Sequence, residues 1–231
     1  MLSYVAEALC ASGCVGRLVV VGLSAEDAPD LCCALPITYL PDRGAMIANA
    51  LSALDALDTE DHVLFASSDI PLLTAEAVRD FVARGEATGA DLCYPAVRRE
   101  VMEASFPGSG RSFRHLVEGD LAGGDLFFAL PAVLRRNAAL VQSLSANRKA
   151  ALGLARLLGP GILLRFVFRR LRIVDLERCV SMIFDCSCRA IISPYAELAM
   201  DVDHPKHLDV VLRAMDERDG IADHQAGKEA P

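Results

Sequence analysis

The sequence predicts a single α/β domain whose sheet is mixed but mostly parallel and carries helices on both faces. Two observations lead to this prediction. Short apolar runs alternate with amphipathic segments through the first half of the chain, and the 231 residues are 53% hydrophobic, which is enough for one packed core. Continuous apolar runs are typical of strands that helices cover on both faces. We therefore expect one domain over residues 1–217, with a helical insertion at about 131–184 and a polar tail at 218–231.

The first half begins with a helix, and strands and helices then alternate. Leu2, Val5 and Leu9 follow helical spacing, and Gly13 stands where a helix commonly stops. The elements expected next are strands at Leu18–Val21 and Ile37–Leu40, a helix from about Ala45 to Leu57, a strand in HVLFASSD (62–69), a helix capped by Thr74, and a strand at Asp91–Val97.

The second half combines a hairpin, a helical region and a return to strands. We expect strands at Phe113–Val117 and Asp125–Leu130, with EGDLAGG (118–124) as the turn between them. Beyond the helical region, Arg189–Ser193 and Leu198–Val202 have strand character. A last helix begins at Pro205, because proline suits the first position of a helix.

The charge and aromatic content argue against a nucleic-acid partner. The formal net charge is −8, whereas a nucleic-acid surface needs clustered Lys and Arg. Trp is absent and aromatic residues make up 6%, so platforms for base stacking are not expected.

The cysteines and the N-terminus indicate a cytoplasmic protein. The eight cysteines include no C-x-x-C pair, so we expect buried free thiols in a reducing compartment, with neither disulfides nor a zinc site. The N-terminal segment lacks a basic region and carries Glu7 in its apolar stretch, unlike a secretory signal.

The most apolar segment is GILLRFVFRRLRIV (161–174), which four arginines interrupt. It is too short to span a bilayer, although a basic amphipathic helix on a membrane surface is an alternative. We expect instead a helix that buries Leu163, Leu164, Phe166, Val167 and Leu171 against the domain, so membrane contact is not expected.

Two acidic motifs are the strongest candidates for chemistry. The strand HVLFASSD delivers Ser68 and Asp69 to the carboxyl edge of the sheet, where ligands bind in open α/β folds. Asp201 and Asp203 are two residues apart on an extended segment and so point to one side. If the fold brings these motifs together, their oxygens form a site suited to Mg²⁺. The structural alternatives are that Asp69 caps a turn and that Asp203 caps the last helix.

Two glycine-containing motifs and a histidine pair are weaker signals. Gly123 and Gly124 precede a strand, and they allow either close approach of a ligand or a tight turn. Gly44 precedes a helix start whose free N–H groups suit an anion or a base. His204 and His207 are expected at the surface, since no third ligand lies near them in sequence.

Four stretches together resemble the MobA-like nucleotidyltransferases, a family with a Rossmann-like GT-A-type fold. They are LSYVAEALCASGCVGRLVVVG, FASSDIPLLTAEAV, AGGDLFFALP and MDVDHPKHLDVV, in this order. The resemblance implies transfer of a nucleotidyl group from an NTP to a phosphorylated small-molecule acceptor, with Mg²⁺ as cofactor. It also implies that Asp69 and Asp203 are catalytic and hold the metal, with Asp201 in support.

The resemblance further implies which residues bind the substrates. Gly44 and Asn49 fall where the family contacts the base and ribose, and Ser68 and Pro71 belong to the central D-x-P motif. Gly123, Gly124 and Asp125 fall where the family contacts the acceptor, although many relatives have Asn in place of Asp125.

One departure from the family pattern concerns the triphosphate. Family members begin with a strand and a glycine-rich loop containing Arg, followed by a Lys, whereas this chain starts at the helix that follows those elements. We therefore expect weak triphosphate binding and impaired catalysis. The alternatives are a non-catalytic nucleotide- or metabolite-binding module and a GT-A glycosyltransferase, whose acidic motif is usually D-x-D. The sequence also leaves a homodimer open.

Overall fold

The computed structural model describes residues 1–24, 26–27, 31, 33–145, 161–162 and 164–226. The helices are α1 (Leu2–Ala11), α2 (Met46–Leu57), α3 (Ala75–Thr88), α4 (Arg99–Ser105), α5 (Pro131–Ser145), α6 (Ile173–Phe184) and α7 (Pro205–Ala226), with a 3₁₀ helix at Ala196–Ala199. The strands are β1 (Leu18–Val21), β2 (Ile37–Leu40), β3 (Val63–Ala66), β4 (Leu92–Arg98), β5 (Arg114–Leu116), β6 (Gly119–Gly123), β7 (Leu126–Ala129) and β8 (Cys188–Ser193).

The main sheet is mixed, as expected, but of its described strand pairs only β4 and β8 are parallel, so the expectation that it is mostly parallel is wrong. Its strands follow the order β3-β7-β4-β6-β5, and β8 pairs in parallel with β4 along the edge that β7 and β6 leave free. Because β7 is antiparallel to both β3 and β4, those two strands and β8 run in one direction. In the described part of the chain, β1 and β2 form a separate parallel pair.

Two segments of the second half differ from their predicted conformation. The expected turn EGDLAGG contains β6, which pairs with β5 and with β4. The expected strand Leu198–Val202 is instead the end of the 3₁₀ helix and an extended loop. Leu198, Ala199 and Met200 are all fully buried, and such a continuous apolar run does not by itself distinguish a strand from another buried segment.

The core lies where α3 and the segment after β3 pack against the sheet. Phe81 of α3, Ile70, Met102 and Leu126 are completely buried. Burial of a large side chain contributes about 1.5–3 kcal/mol to folding. The segment that follows β3, and that carries Asp69, is therefore firmly anchored.

The structure contains a disulfide, so the expectation that the cysteines form no disulfides is wrong. Cys10, at the end of α1, is bonded to Cys33, ahead of β2, with Cα atoms 5.9 Å apart. The two residues are 23 positions apart, so only the fold brings them together. Cys93, Cys179 and Cys188 are buried free thiols, as expected.

The helical insertion and the C-terminus differ in part from expectation. The side chains of Leu164, Phe166 and Val167 are exposed, so the prediction that they are buried is wrong, while Leu171 is buried. Leu163 and residues 146–160 lie outside the described residues. None of the described helices is both long and apolar enough to cross a membrane. The helix α7 continues to Ala226, through most of the expected tail.

Candidate active site

Three segments of the chain that carry aspartates meet at one edge of the main sheet. Asp69 follows β3, and Asp201 and Asp203 follow β8 and the 3₁₀ helix. Because β3 and β8 run in the same direction, both segments leave the sheet at the same edge. Asp125 immediately precedes β7, and since β7 runs the opposite way, its first residue also lies at this edge, where Ala66 pairs with Leu126.

Main-chain hydrogen bonds hold these segments together. The N–H of Ser67 donates to the carbonyl of Asp125, and the N–H of Asp125 donates to the carbonyl of Leu198, both at 3.0 Å. The N–H of Val202 donates to the carbonyl of Asp69, also at 3.0 Å. The positions of the aspartates are therefore set by the backbone rather than by flexible side chains.

The three predicted metal ligands form what we call the acidic cluster: Asp69, Asp201 and Asp203. One carboxylate oxygen from each lies within 4.8 Å of the others. Asp201 is buried, Asp69 is half-buried and Asp203 is exposed, so the cluster opens to solvent on one side. The Ser67 hydroxyl donates a hydrogen bond to Asp69.

The helix α3 has its own cap, which argues against a capping role for Asp69. The Thr74 hydroxyl accepts a hydrogen bond from the N–H of Ala77 at 3.2 Å. The same hydroxyl donates to the Glu197 carboxylate at 2.7 Å and so ties the start of α3 to the 3₁₀ helix.

Asp125 lies beside the acidic cluster. Burial, followed by the negative charge of Asp201, raises the pKa of its carboxyl from 3.8 to about 7. Its Oδ2 is buried and has no hydrogen-bond partner among the described residues. An ionised oxygen of this kind is costly to bury without a partner, which agrees with the raised pKa.

Arg111 and Tyr94 adjoin the same site, and no sequence motif pointed to either residue. The Arg111 guanidinium forms an ion pair with Asp201, and the two side chains are only 13% and 7% exposed. Burial raises the pKa of the Tyr94 hydroxyl, and the charge of Asp125 adds to this shift. Arginine is common in loops and Tyr94 lies in an ordinary strand pattern, so only the fold reveals these positions.

His207 was expected at the surface, and this prediction is wrong. Its side chain is buried, and its Nδ1 lies 3.4 Å from the N–H of Asp203, which donates to it. The physical reason is the helix α7, which begins at Pro205 and turns His207 inwards beneath the loop. His207 thus fixes the backbone of a predicted metal ligand.

The two glycines before β7 serve close packing within the protein. A Cβ on Gly124 would lie 2.4 Å from the carbonyl oxygen of Leu198, and one on Gly123 would lie 2.0 Å from the Tyr94 hydroxyl. A real Cβ does not approach other atoms this closely. Groups of the chain itself therefore approach both glycines closely, and the contact with a ligand that the sequence suggested stays a prediction.

The remaining predicted substrate-binding residues lie in two places. Ser68 is exposed in the turn next to Asp69, and Pro71 is fully buried below it. Gly44 and Asn49 lie at the start of α2, where the Gly44 N–H and the Asn49 side-chain amide both donate to Asp42. Within the described residues, no hydrogen bond joins this group to the acidic cluster.

Comparison with known protein families identifies the family of this chain. Residues 1–161 match the MobA-like NTP transferase domain. The chain belongs to this family. It is therefore a nucleotidyltransferase-like protein, as the four quoted stretches indicated.

Solved structures agree with this assignment. A hypothetical transferase from Thermus thermophilus is 36% identical to this MobA-like chain, with a TM-score of 0.77, and the match covers 90% of this chain and 85% of the other. Two more distant structures share the fold.

The first of these is 2-C-methyl-D-erythritol 4-phosphate cytidylyltransferase from Thermus thermophilus, at 15% identity and a TM-score of 0.52; the match covers 93% of this chain and 89% of the other. The second is CMP:2-keto-3-deoxy-manno-octonic acid synthetase complexed with CTP, at 11% identity and a TM-score of 0.54; the match covers 94% of this chain and 88% of the other. No curated protein sequence matches the chain.

Proposed function

We propose that this MobA-like chain transfers a nucleotidyl group from an NTP to a phosphorylated small-molecule acceptor, and that it uses Mg²⁺ at the acidic cluster. The observation that carries the proposal is the meeting of Asp69, Asp201 and Asp203, whose oxygens lie within 4.8 Å of one another, in a chain of this family. The two distant neighbours named as a cytidylyltransferase and as a CTP-bound synthetase support the same class of reaction.

The chemistry of the donors fits a hard divalent cation. Carboxylate oxygens are the ligands that Mg²⁺ prefers, and it usually keeps water and substrate phosphates in its remaining positions. Asp203 faces solvent and Asp69 is half-buried, so both are open to an ion and to a bound substrate.

In this proposal, Asp69 and Asp203 hold the cation, with Asp201 in support. When bound, Mg²⁺ neutralises charge on the phosphates during in-line displacement. The residues of the chain position the ligands: Ser67 orients Asp69, and His207 fixes the backbone of Asp203. The main-chain hydrogen bond of Asp125 to Leu198 holds the start of β7 against the 3₁₀ helix. Such catalysis depends on positioning and electrostatics more than on covalent chemistry.

The proposal is tested by cation binding and by turnover, each with a matched control. Asp69→Asn removes the negative charge of the carboxylate that follows β3. The control, Asp61→Asn, removes an exposed carboxylate that precedes β3. We expect the first variant to bind Mn²⁺, measured by calorimetry, at least about tenfold more weakly than the wild type, because loss of outer-shell partners alone costs about 10–100-fold. We expect the second variant to match the wild type.

Turnover is followed as pyrophosphate release with Mg²⁺, each NTP in turn, and sugar phosphates, alcohol phosphates or molybdopterin-type precursors as acceptors. Pyrophosphate release that depends on Asp69 supports the transferase function. Nucleotide binding without pyrophosphate release supports a non-catalytic binding module. If Asp69→Asn lowers the melting temperature by several degrees while cation binding persists, Asp69 is a structural residue and the proposed site is wrong.

A further inference from the structure

We propose that Arg111 is an internal counter-cation of the acidic cluster, which competes with the divalent cation for Asp201 and so weakens cation binding. This inference rests on the proposed function, because it concerns the same cation site. It assigns a role to a residue outside the aspartate motifs.

The first step of the argument is the contact itself. The Arg111 guanidinium forms an ion pair with Asp201, and Asp201 also supplies an oxygen to the acidic cluster. A carboxylate that pairs with a guanidinium has fewer free lone pairs for a metal ion. The guanidinium and the metal ion therefore draw on the same carboxylate, and the charge that Asp201 shares with Arg111 is less available to the metal ion.

The second step is electrostatic. The Arg111 and Asp201 side chains are 13% and 7% exposed, so water screens their charges poorly. A divalent ion at Asp69 and Asp203 would lie beside the fixed charge of Arg111, since the three aspartates lie within 4.8 Å of one another. Arginine does not lose its proton at ordinary pH, so this repulsion is permanent while the ion pair persists.

The third step concerns the unmet donors of Arg111. Its Nε is buried and has no hydrogen-bond partner among the described residues. Arg111 lies in a loop where Gly108 and Gly110 adopt positive φ angles of 69° and 75°, and these bend the chain so that the arginine returns to the site. A guanidinium released from Asp201 would thus carry free donors beside the cation, which is an arrangement that suits a phosphate oxygen.

The competing interpretation is that Arg111 helps the metal site by orienting Asp201. The two interpretations predict opposite effects of removing the guanidinium. If Arg111 competes, Arg111→Met tightens cation binding, and if Arg111 only orients Asp201, the same variant weakens it. Arg111→Lys keeps the charge and serves as the matched control.

The experiment measures Mn²⁺ affinity of the metal-free full chain by calorimetry, without nucleotide. We expect Arg111→Met to bind Mn²⁺ about tenfold more tightly than the wild type, which corresponds to about 1.4 kcal/mol. We expect Arg111→Lys to remain within about threefold of the wild type. Thermal unfolding with and without Mn²⁺ provides a second readout, in which the ion should stabilise Arg111→Met more than it stabilises the wild type.

A double variant covers the case in which Arg111→Met does not fold, since removal of one partner of a buried ion pair is strongly destabilising. Asp201→Asn leaves Arg111 unopposed and should weaken Mn²⁺ binding at least about tenfold. Adding Arg111→Met to Asp201→Asn should restore at least about fivefold of the lost affinity.

The inference is overturned if Arg111→Met binds Mn²⁺ no more tightly than the wild type, or, where that variant does not fold, if the double variant binds no more tightly than Asp201→Asn. Asp69→Asn separates this failure from failure of the proposed function. If Asp69→Asn binds Mn²⁺ as the wild type does, the cation site itself is wrong. If Asp69→Asn binds weakly, only the role of Arg111 is wrong.

Discussion

Replacement of Gly124 by alanine should destabilise the domain where the segments of the candidate active site meet. The new Cβ would lie 2.4 Å from the carbonyl oxygen of Leu198 and 2.9 Å from Cγ of Pro95. The Gly124 N–H also donates to the carbonyl of Pro95, and the next N–H, of Asp125, donates to the carbonyl of Leu198, both at 3.0 Å. The methyl group therefore pushes apart the same groups that the hydrogen bonds hold together.

The magnitude follows from these two effects. Overpacking of a rigid region costs about 1–3 kcal/mol. The loss of one hydrogen bond adds about 1 kcal/mol. We therefore expect the free energy of unfolding to fall by about 2–4 kcal/mol in Gly124→Ala. For a domain of this size, each kcal/mol lowers the melting temperature by about 2–4 °C.

The assay is urea denaturation of the wild type, Gly124→Ala and a control, Gly16→Ala. A Cβ on Gly16 meets no atom within 4 Å, so this control should be neutral or slightly stabilising. Gly124→Ala should also weaken Mn²⁺ binding, because movement of Leu198 displaces Asp201. If the unfolding free energies of Gly124→Ala and the wild type agree within about 0.5 kcal/mol, the packing argument for Gly124 is wrong.

Three further predictions concern other residues. Reduction of the Cys10–Cys33 bond, which closes a loop of 23 residues, should lower the unfolding free energy by about 3 kcal/mol in urea denaturation, and Cys10→Ser should be unaffected by reductant. Thr74→Ala should cost about 1–2 kcal/mol in the same assay because it removes a helix cap, whereas Thr74→Ser should retain most of that stability. Folding raises the pKa of Asp125 from 3.8 to about 7, so between these pH values the native protein keeps a proton that the unfolded chain releases. The free energy of unfolding of the wild type should therefore fall as the pH rises from about 4 through 7. In the presence of a metal chelator, the melting temperature of Asp125→Asn should exceed that of the wild type at pH 8 and approach it at pH 4. A difference that does not change with pH would contradict the cause given for the Asp125 shift.

The elements of the first half could be predicted because their signals are local. The helix α1, the strand β1 and the capped helix α3 follow from the spacing of apolar residues and from Thr74. The motif around Asp69 was found because a strand that ends in polar residues delivers them to the sheet edge. Asp201 and Asp203 were found because they lie two residues apart on a segment expected to be extended, so that both point to one side.

The second half was harder to predict because its signals depend on distant partners. The segment EGDLAGG has the composition of a turn, and it becomes β6 only because β4 and β5 offer hydrogen-bonding edges. Similarly, Leu164, Phe166 and Val167 have apolar side chains that lie exposed, and nothing local to the sequence distinguishes them from core residues.

Local patterns are enough to identify the candidate cation ligands, since these aspartates lie at the ends of strands and ahead of a helix. The groups that surround them depend on the folded chain. The antiparallel direction of β7 brings Asp125 to the same edge, and the loop with Arg111 returns a buried positive charge to Asp201. Strand direction and ion pairing arise from contacts between residues far apart in the chain, and side-chain periodicity carries no information about such contacts.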